Sequence, residues 1–464
     1  MSSSSKTIIA QSTPHGSGAI AIVRMSGPSS ISITEKILER KINDQVGKRD
    51  SLLVNLYDSQ KNIFDQALLL IFKAPKSYTG ENLIEFHCHG NQLIVNKLIE
   101  TALVYGASLA SPGEFTQRAY LNNKLKLSEA EAIMDLIKSK TEKLLFKSAN
   151  QLLGSLGTKI SLIENNLLEV LSAVQAPMDF PIETEFSEID EELVFKNILD
   201  IDKLINKLYR DAQTSAILRN GLKTVILGRP NVGKSSLLNL LLSSERAIVS
   251  SEAGTTRDFI SEEILIRDIP ITLIDTAGLR SKTNSEIEKL GIQRAQGLAK
   301  EAELVLFVFD FTEGFLDEDE SLLQSIINSN KEAKIILLSN KYDLDESEFA
   351  KSNMNSFLKD HDIPLIQISA KTSFGLEELE NKIESLFNID SLEGDFEFSL
   401  SQRQSLILNS MNNVLNEINP NIPLEIVSSK IQELIDLLNE LKGEGQFKSE
   451  KTANRIFGEF CIGK

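Results

Sequence analysis

The sequence predicts a multidomain protein of mixed α/β and α+β class. It comprises a small N-terminal α+β domain, an all-α helical bundle domain and, inserted into the bundle, an α/β domain with a doubly wound, mostly parallel sheet. Three observations predict it. The first 120 residues contain short alternating runs broken by Pro and Gly, and both flanks of the central region carry apolar residues at three- and four-residue steps. The centre joins an apolar run to a glycine loop and then to a helical pattern.

In chain order, residues 1–120 form the first domain, with Ala19 to Arg24 and Leu68 to Phe72 reading as strands. His87-Cys88-His89 invites a metal reading. On an alternating strand, however, both histidines face away from the cysteine and no fourth ligand presents itself, so the motif reads as ordinary strand. Residues 121–216 begin the helical domain. Ser128 to Ala176 reads as one long amphipathic helix, with Ile133, Leu144, Leu152, Ile160, Leu167 and Val174 on one face and Pro177 as the stop. A second pattern runs from Ile189 to Leu208, and the pattern returns in residues 388–464 at Leu406 to Leu415 and Leu424 to Leu441. One-sided helices must bury their stripes, and a single bundle built from both flanks does so.

The inserted domain spans residues 217–387. Gly228-Arg-Pro-Asn-Val-Gly233-Lys234-Ser235 follows the strand pattern Thr224 to Leu227 and precedes the helical pattern Leu237 to Leu242, which aims backbone N–H groups at phosphate. Gly228 and Gly233 let the backbone wrap the phosphates, Lys234 neutralises β and γ oxygens, and the Ser235 hydroxyl is placed for Mg²⁺. Asn231, Val232 and Ser236 complete the loop set. Asn340-Lys341-Tyr342-Asp343 selects guanine, because the Asp343 carboxylate accepts from both N1–H and the 2-amino group. Ser369-Ala370-Lys371 closes over the base, and Asp275-Thr276-Ala277-Gly278 supplies an aspartate for the Mg²⁺ shell and an N–H for the γ-phosphate. Between these, Ser250-Ser251-Glu252-Ala253-Gly254-Thr255-Thr256 completes the nucleotide contacts, with a threonine hydroxyl for the metal. These motifs together read as a Ras-like P-loop GTPase domain.

Leu279 follows Gly278 where Ras-like switches place a water-orienting glutamine, so hydrolysis needs another device. Two candidates stand: Arg257 as an internal finger, or a monovalent cation held by the side-chain oxygen of Asn231.

No run approaches the ~18 to 20 apolar residues of a membrane-spanning helix, and Met1 to Lys6 is no signal peptide. Two cysteines, Cys88 and Cys461, build no disulfide framework, which points to a reducing, cytoplasmic setting. The net charge of −17 argues against a broadly basic nucleic-acid surface, although Arg118 to Lys147 is locally basic. On a helix such lysines usually make a solvated face.

Thr13 to Arg24, Ser77-Tyr-Thr-Gly-Glu81, Pro112 to Ala119, Leu121 to Ser128, Met178-Asp-Phe-Pro181 and the closing Cys461-Ile462-Gly463-Lys464 resemble blocks of the MnmE (TrmE) family of tRNA-modification GTPases, end to end. The resemblance implies a homodimer formed through an N-terminal folate-binding and dimerisation domain, without membrane or DNA partners. Its K⁺-activated GTPase would work with an FAD-dependent partner, MnmG, in a heterotetramer or larger complex. The joint product on tRNA would be an aminomethyl or carboxymethylaminomethyl group at C5 of the wobble uridine, position 34. The one-carbon unit would come from a 5-formyl or methylene tetrahydrofolate, and FAD would enter only through the partner.

Carried over residue by residue, folate contacts fall on Arg24, Glu81, Lys124 and Lys464. K⁺ contacts fall on Asn231, Ser250, Glu252 and Thr255, and Mg²⁺ contacts on Ser235 and Thr256. The family's water-orienting glutamate maps to Glu288, with Glu286 as the alternative across a one-residue insertion, so the catalytic set is Glu288, Lys234 and Asn231. Cys461 is either a nucleophile or a small residue in a packed tail, and the bland reading of Arg24 and Glu81 is a salt bridge to each other. The competing function is an Era-like ribosome-assembly or regulatory GTPase, which would share the central motifs and lack modification activity.

Overall fold

Strands β1 (Ile8–Gln11), β2 (Gly18–Ser26), β3 (Ser51–Tyr57), β4 (Ile63–Phe72), β5 (Leu83–Gly90) and β6 (Ser108–Leu109) form a six-stranded sheet in the order β3-β4-β5-β2-β1-β6. It is antiparallel except for the β1–β6 pair. The period-2 alternation of the strands gives it two unlike faces. Val23, Met25, Leu69, Ile84 and Phe86 pack beneath α1 (Ser30–Leu38) and α2 (Gln92–Val104). The other face carries Arg24, Glu85 and His87, together with exposed Ile20, Leu53 and Leu68. The structure, a computed structural model, describes residues 6–42, 51–179, 190–243, 262–274, 297–344, 361–387, 396–444, 457–458, 460 and 463.

The chain divides into two compact units, one of Met1–Met134, Gln151–Leu204 and Asn409–Lys464, the other of Asp135–Asn150 and Ile205–Leu408. In the first, α3 (Glu114–Leu121) buries Phe115 against Ile8 and Ala10. The stretch read as one helix is three: α4 (Leu127–Lys138), α5 (Glu142–Leu152) and α6 (Ser155–Asp179). Side chains and a turn make the breaks. Ser139 Oγ bonds back to the Asp135 carbonyl at 2.5 Å, Thr141 Oγ1 accepts from Leu144 N at 3.2 Å, and a turn at Gly154 precedes α6. Pro177 is not the stop either, since α6 runs to Asp179. The last helix, α12 (Leu424–Lys442), packs along α6 through Val427, Ile431, Leu434 and Leu438, with Lys442 Nζ on Glu164 at 3.0 Å and Gln175 Nε2 on Ser428 at 3.1 Å. The two flanks therefore share one helical packing.

The second unit holds the other sheet: β7 (Leu222–Leu227), β8 (Glu262–Ile266), β9 (Ile269–Leu273), β10 (Leu304–Asp310), β11 (Lys334–Asn340) and β12 (Leu365–Gln367), in the order β12-β11-β10-β7-β9-β8. All its pairs are parallel except β8–β9. Helices cover both faces. Ile226, Leu306 and Leu338 meet α8 (Lys234–Ser243) and α10 (Leu376–Leu386), whereas Val225, Phe307 and Leu337 meet α9 (Asp317–Ser329). That is why these strands read as unbroken apolar runs. The helix preceding the sheet, α7 (Glu191–Asn220), is longer than the pattern from Ile189 to Leu208 suggested, and α11 (Gln402–Asn416) follows the insertion. No helix of the described residues is long and apolar enough to cross a membrane.

Candidate functional site

The glycine loop joins the carboxyl end of β7 to α8, the place where open α/β sheets bind ligands. Lys234 Nζ curls back to donate to the Gly228 carbonyl at 2.9 Å and the Arg229 carbonyl at 2.5 Å. Burial pulls its ammonium down to about 8, with Asp319 opposing. Asn231 is exposed and sits at φ +64°, and Ser235 and Ser236 are exposed in the first turn of α8. Gly233 cannot be replaced, because at φ +100° a Cβ would collide with the Asn340 amide nitrogen.

Asn340 ties the separate motifs together. Its Nδ2 donates to the Val232 carbonyl at 2.8 Å, while its Oδ1 accepts from Ala370 N at 3.0 Å. Asp343, exposed, has one carboxylate oxygen fixed by Ser369 Oγ at 2.6 Å, and Thr372 N donates to that hydroxyl at 3.2 Å. Lys341, at φ +66°, pairs with Asp310, whose carboxyl is held below its usual range by Lys341 and Thr312 against the pull of burial. Tyr342 stacks on Phe374 at 5.1 Å and meets Phe311 edge-on at 5.0 Å. The loop, the Asn340–Asp343 motif and the Ser369-Ala370-Lys371 segment thus converge on one place.

Sequence reasoning overlooked one element here: Arg229 pairs with Asp319 and Glu313. The available signal was the acidic run Asp317 to Glu320, which reads as solvated although Asp319 is fully buried. Ser250, Ser251, Glu252, Ala253, Gly254, Thr255, Thr256, Arg257, Asp275, Thr276, Ala277, Gly278, Glu286, Glu288, Cys461 and Lys464 lie outside the described residues.

A second polar site lies on the outer face of the N-terminal sheet. The simple pairing of Arg24 with Glu81 does not occur. Arg24 instead gives Nε and Nη2 to Glu85 Oε1 at 3.0 and 2.8 Å, its direct cross-strand neighbour, and lies over the Tyr78 and Phe115 rings. Glu81 takes Ser26 Oγ at 2.8 Å and Arg118 Nη1 at 2.9 Å, both on Oε2. Arg118, nearly buried, also holds Glu114 at 2.7 Å. Each site residue therefore has one end anchored, and Arg24 Nη1 and Glu81 Oε1 carry no protein hydrogen bond among the described residues.

Lys124 is exposed, its stem packed on Gly80 and its Nζ on the Pro75 carbonyl at 3.0 Å. From the far end of the chain, the Gly463 carbonyl accepts from Ser12 Oγ at 3.0 Å, and at φ +93° a Cβ there would strike the Gln11 carbonyl. The tail thus reaches the end of β1, and Phe457 and Phe460 pack with Tyr120.

The alternation expected around His87-Cys88-His89 holds. Cys88 is buried in the core, while His87 and His89 bond Glu85 and Asp65. No group of three or more metal-binding His, Cys, Asp or Glu side chains occurs among the described residues. The basic stretch is not a uniformly solvated face: Lys140 pairs with Glu263 at 2.7 Å, Lys147 lies over the Phe396 ring and Arg118 is internal.

The family described as the GTP-binding protein TrmE N-terminus matches residues 7–124, and the MnmE helical domain family matches residues 127–461. Among similar proteins, the tRNA modification GTPase MnmE of Bacillus velezensis is 36% identical over 467 residues, covering 99% of this chain and 100% of that protein. Those of Bacillus subtilis and Staphylococcus aureus are 35% and 34% identical, again over 99% of this chain and 100% and 99% of their own lengths. These full-length matches set the Era-like alternative aside: with its phosphate loop, guanine motif and tail-bearing N-terminal domain, the chain belongs to the MnmE/TrmE family of tRNA modification GTPases.

Proposed function

We propose that this GTP hydrolase of tRNA modification is activated by K⁺ and, together with an FAD-dependent partner, installs the aminomethyl or carboxymethylaminomethyl group on the wobble uridine, using a folate one-carbon unit bound at Arg24, Glu81, Lys124 and Lys464. The observation that carries the folate reading is the pair of half-anchored side chains. Arg24 offers a donor and Glu81 an acceptor from fixed positions, suited to a ligand with both carbonyl and N–H groups, as a pterin has. When bound, the folate supplies the one-carbon unit. Arg118 and Ser26 keep the Glu81 carboxylate oriented, and the aromatic rings of Tyr78 and Phe115 flank the Arg24 guanidinium. Exposed Ile20, Leu53 and Leu68 on the same sheet face favour a second copy of this chain as the neighbour there.

In the nucleotide site Lys234 neutralises phosphate oxygens, the Ser235 hydroxyl suits a hard cation such as Mg²⁺ beside Thr256, and Asp343 selects guanine. Asn231, exposed and left-handed in the loop, offers an amide oxygen to K⁺ together with Ser250, Glu252 and Thr255. A cation there supplies the charge a finger otherwise brings. Glu288 orients the attacking water, a task Leu279 cannot perform.

The test pairs two measurements. Wobble-uridine nucleosides are analysed in a strain lacking this gene, carrying either the native chain or Glu81→Gln, and 5-formyl-tetrahydrofolate is titrated calorimetrically into both proteins. The native chain should restore the modification, and Glu81→Gln should lose both restoration and binding. Full restoration and unchanged affinity with Glu81→Gln would remove the folate site from this face.

A further inference from the structure

Arg229 occupies the second position of the phosphate loop, and its two ends do different things. Its carbonyl accepts from Lys234 Nζ at 2.5 Å, so its backbone is part of the phosphate cradle. Its guanidinium donates through Nε to Asp319 Oδ1 and through Nη2 to Glu313 Oε2, both at 2.9 Å. The partners are unequal: Asp319 is 0% exposed, whereas Glu313 is more than half exposed.

The segment carrying those carboxylates begins at Asp310, which holds Lys341 of the guanine motif and accepts from Thr312 N and Oγ1 at 3.0 and 2.8 Å. Its next residue, Phe311, donates its N–H to the Asn340 carbonyl at 2.8 Å and packs on Tyr342. Residues 310–319 therefore touch the base-reading motif at one end and the phosphate loop at the other.

We infer that Arg229 is a positioning residue for GTP binding: its ion pair with buried Asp319 holds the phosphate loop, and through residues 310–319 the guanine motif, in the arrangement that receives nucleotide. A loop so rich in unusual backbone angles, with φ of +143° at Gly228, +64° at Asn231 and +100° at Gly233, has many alternatives to sample once its tether is cut. Preorganisation of this kind appears in affinity, because a loose loop must be ordered by the ligand. Burial pushes the Asp319 carboxyl up from its usual range, and without Arg229 that carboxylate is left without its cation, so the tether is lost from both sides. Glu313, largely in water, contributes little by comparison.

The experiment measures Kd for a fluorescent GDP analogue, and kcat and KM for GTP, in the full-length chain well below its melting temperature. Arg229→Ala should weaken GDP binding and raise KM by about tenfold or more, with kcat at saturating GTP changed far less. Asp319→Asn, which preserves volume, should reproduce the loss, and the double variant should be no worse than either single one, the signature of a pair acting as a unit. Arg229→Lys should recover part of the affinity, and Glu313→Gln should stay within about twofold of the native chain. A lowered melting temperature with unchanged Kd and KM would make the pair merely structural and overturn the inference, as would additive losses in the double variant. Should Arg229→Ala fail to fold, Asp319→Asn and Arg229→Lys decide by the same readings.

Discussion

Raising the pH from about 7 to about 8.5 should weaken GDP capture by the free protein about fourfold through Lys234 alone. Burial of the ammonium within the loop brings it to about 8, against an ordinary value of 10.5. The sign follows from the direction: with the folded value lowered, Lys234 is charged below about 8 and neutral above it, and phosphate binding requires the charged form. Affinity then tracks the protonated fraction in the free protein, roughly nine-tenths at pH 7 and roughly a quarter at pH 8.5. Fluorescent-GDP titrations at constant ionic strength would follow the decline, and the range stops at 8.5 because guanine N1 itself ionises in stronger alkali. Lys234→Arg keeps its charge throughout and should bind with a flat profile. A flat profile in the native chain would show that the loop does not desolvate Lys234, and a decline that survives in Lys234→Arg would assign the titration to another group.

Two further outcomes are expected. Asp343→Asn should exchange guanine for xanthine preference by inverting the hydrogen-bond pattern that the Ser369-anchored carboxylate presents, and competition binding with xanthosine and guanosine diphosphates checks it. Asp211, pushed up to about 6 by burial, is ionised at a cost near neutral pH, since a raised folded value means that protonation favours the fold. Asp211→Asn should therefore raise the melting temperature at pH 7.5 by about 2–4 °C, with the gain shrinking toward pH 5; a lower melting temperature at pH 7.5 would refute it.

The nucleotide site was legible because its parts are local: a strand, a glycine loop and a helix in direct succession prescribe the loop, and Asn340 needs only its place at the end of a strand. What stayed hidden depends on register or on distance. The Arg24–Glu81 salt bridge, the bland reading, does not form, because Glu85 stands directly opposite Arg24, and only the β2–β5 register shows that. Arg229 and Asp319 are 90 residues apart, and Ser12 and Gly463 are 451 apart, so no local pattern joins either pair. The breaks between α4, α5 and α6 were hidden for a different reason: Ile137, Leu144, Leu152, Leu156 and Ile160 keep helical apolar spacing across them, so periodicity alone cannot see the Ser139 and Thr141 hydroxyls that interrupt the ladder.

An insertion into a helical domain raises the question of what holds its two chain ends together. Along α7, Lys207, Asp211, Ser215 and Arg219 recur every four residues and so share one face. Residues 396–400, beyond the nucleotide domain, belong to no helix or strand, so their backbone groups must be answered otherwise. This face answers them. Asp211 Oδ2 accepts from Glu397 N and Phe398 N at 3.1 and 3.2 Å, Ser215 Oγ accepts from Leu400 N at 2.9 Å, and Arg219 donates to the Leu400 carbonyl at 2.9 Å. Lys207 pairs with Glu397, and Asp135 closes the row by taking Arg219 Nε and Nη2 at 2.6 Å each and Ser399 Oγ at 2.7 Å. The ends of the insertion are thus bound to each other by side chains. A periodic row of polar residues on an otherwise amphipathic helix, which reads as a solvated face, is here the partner of a segment that has no helix or strand of its own.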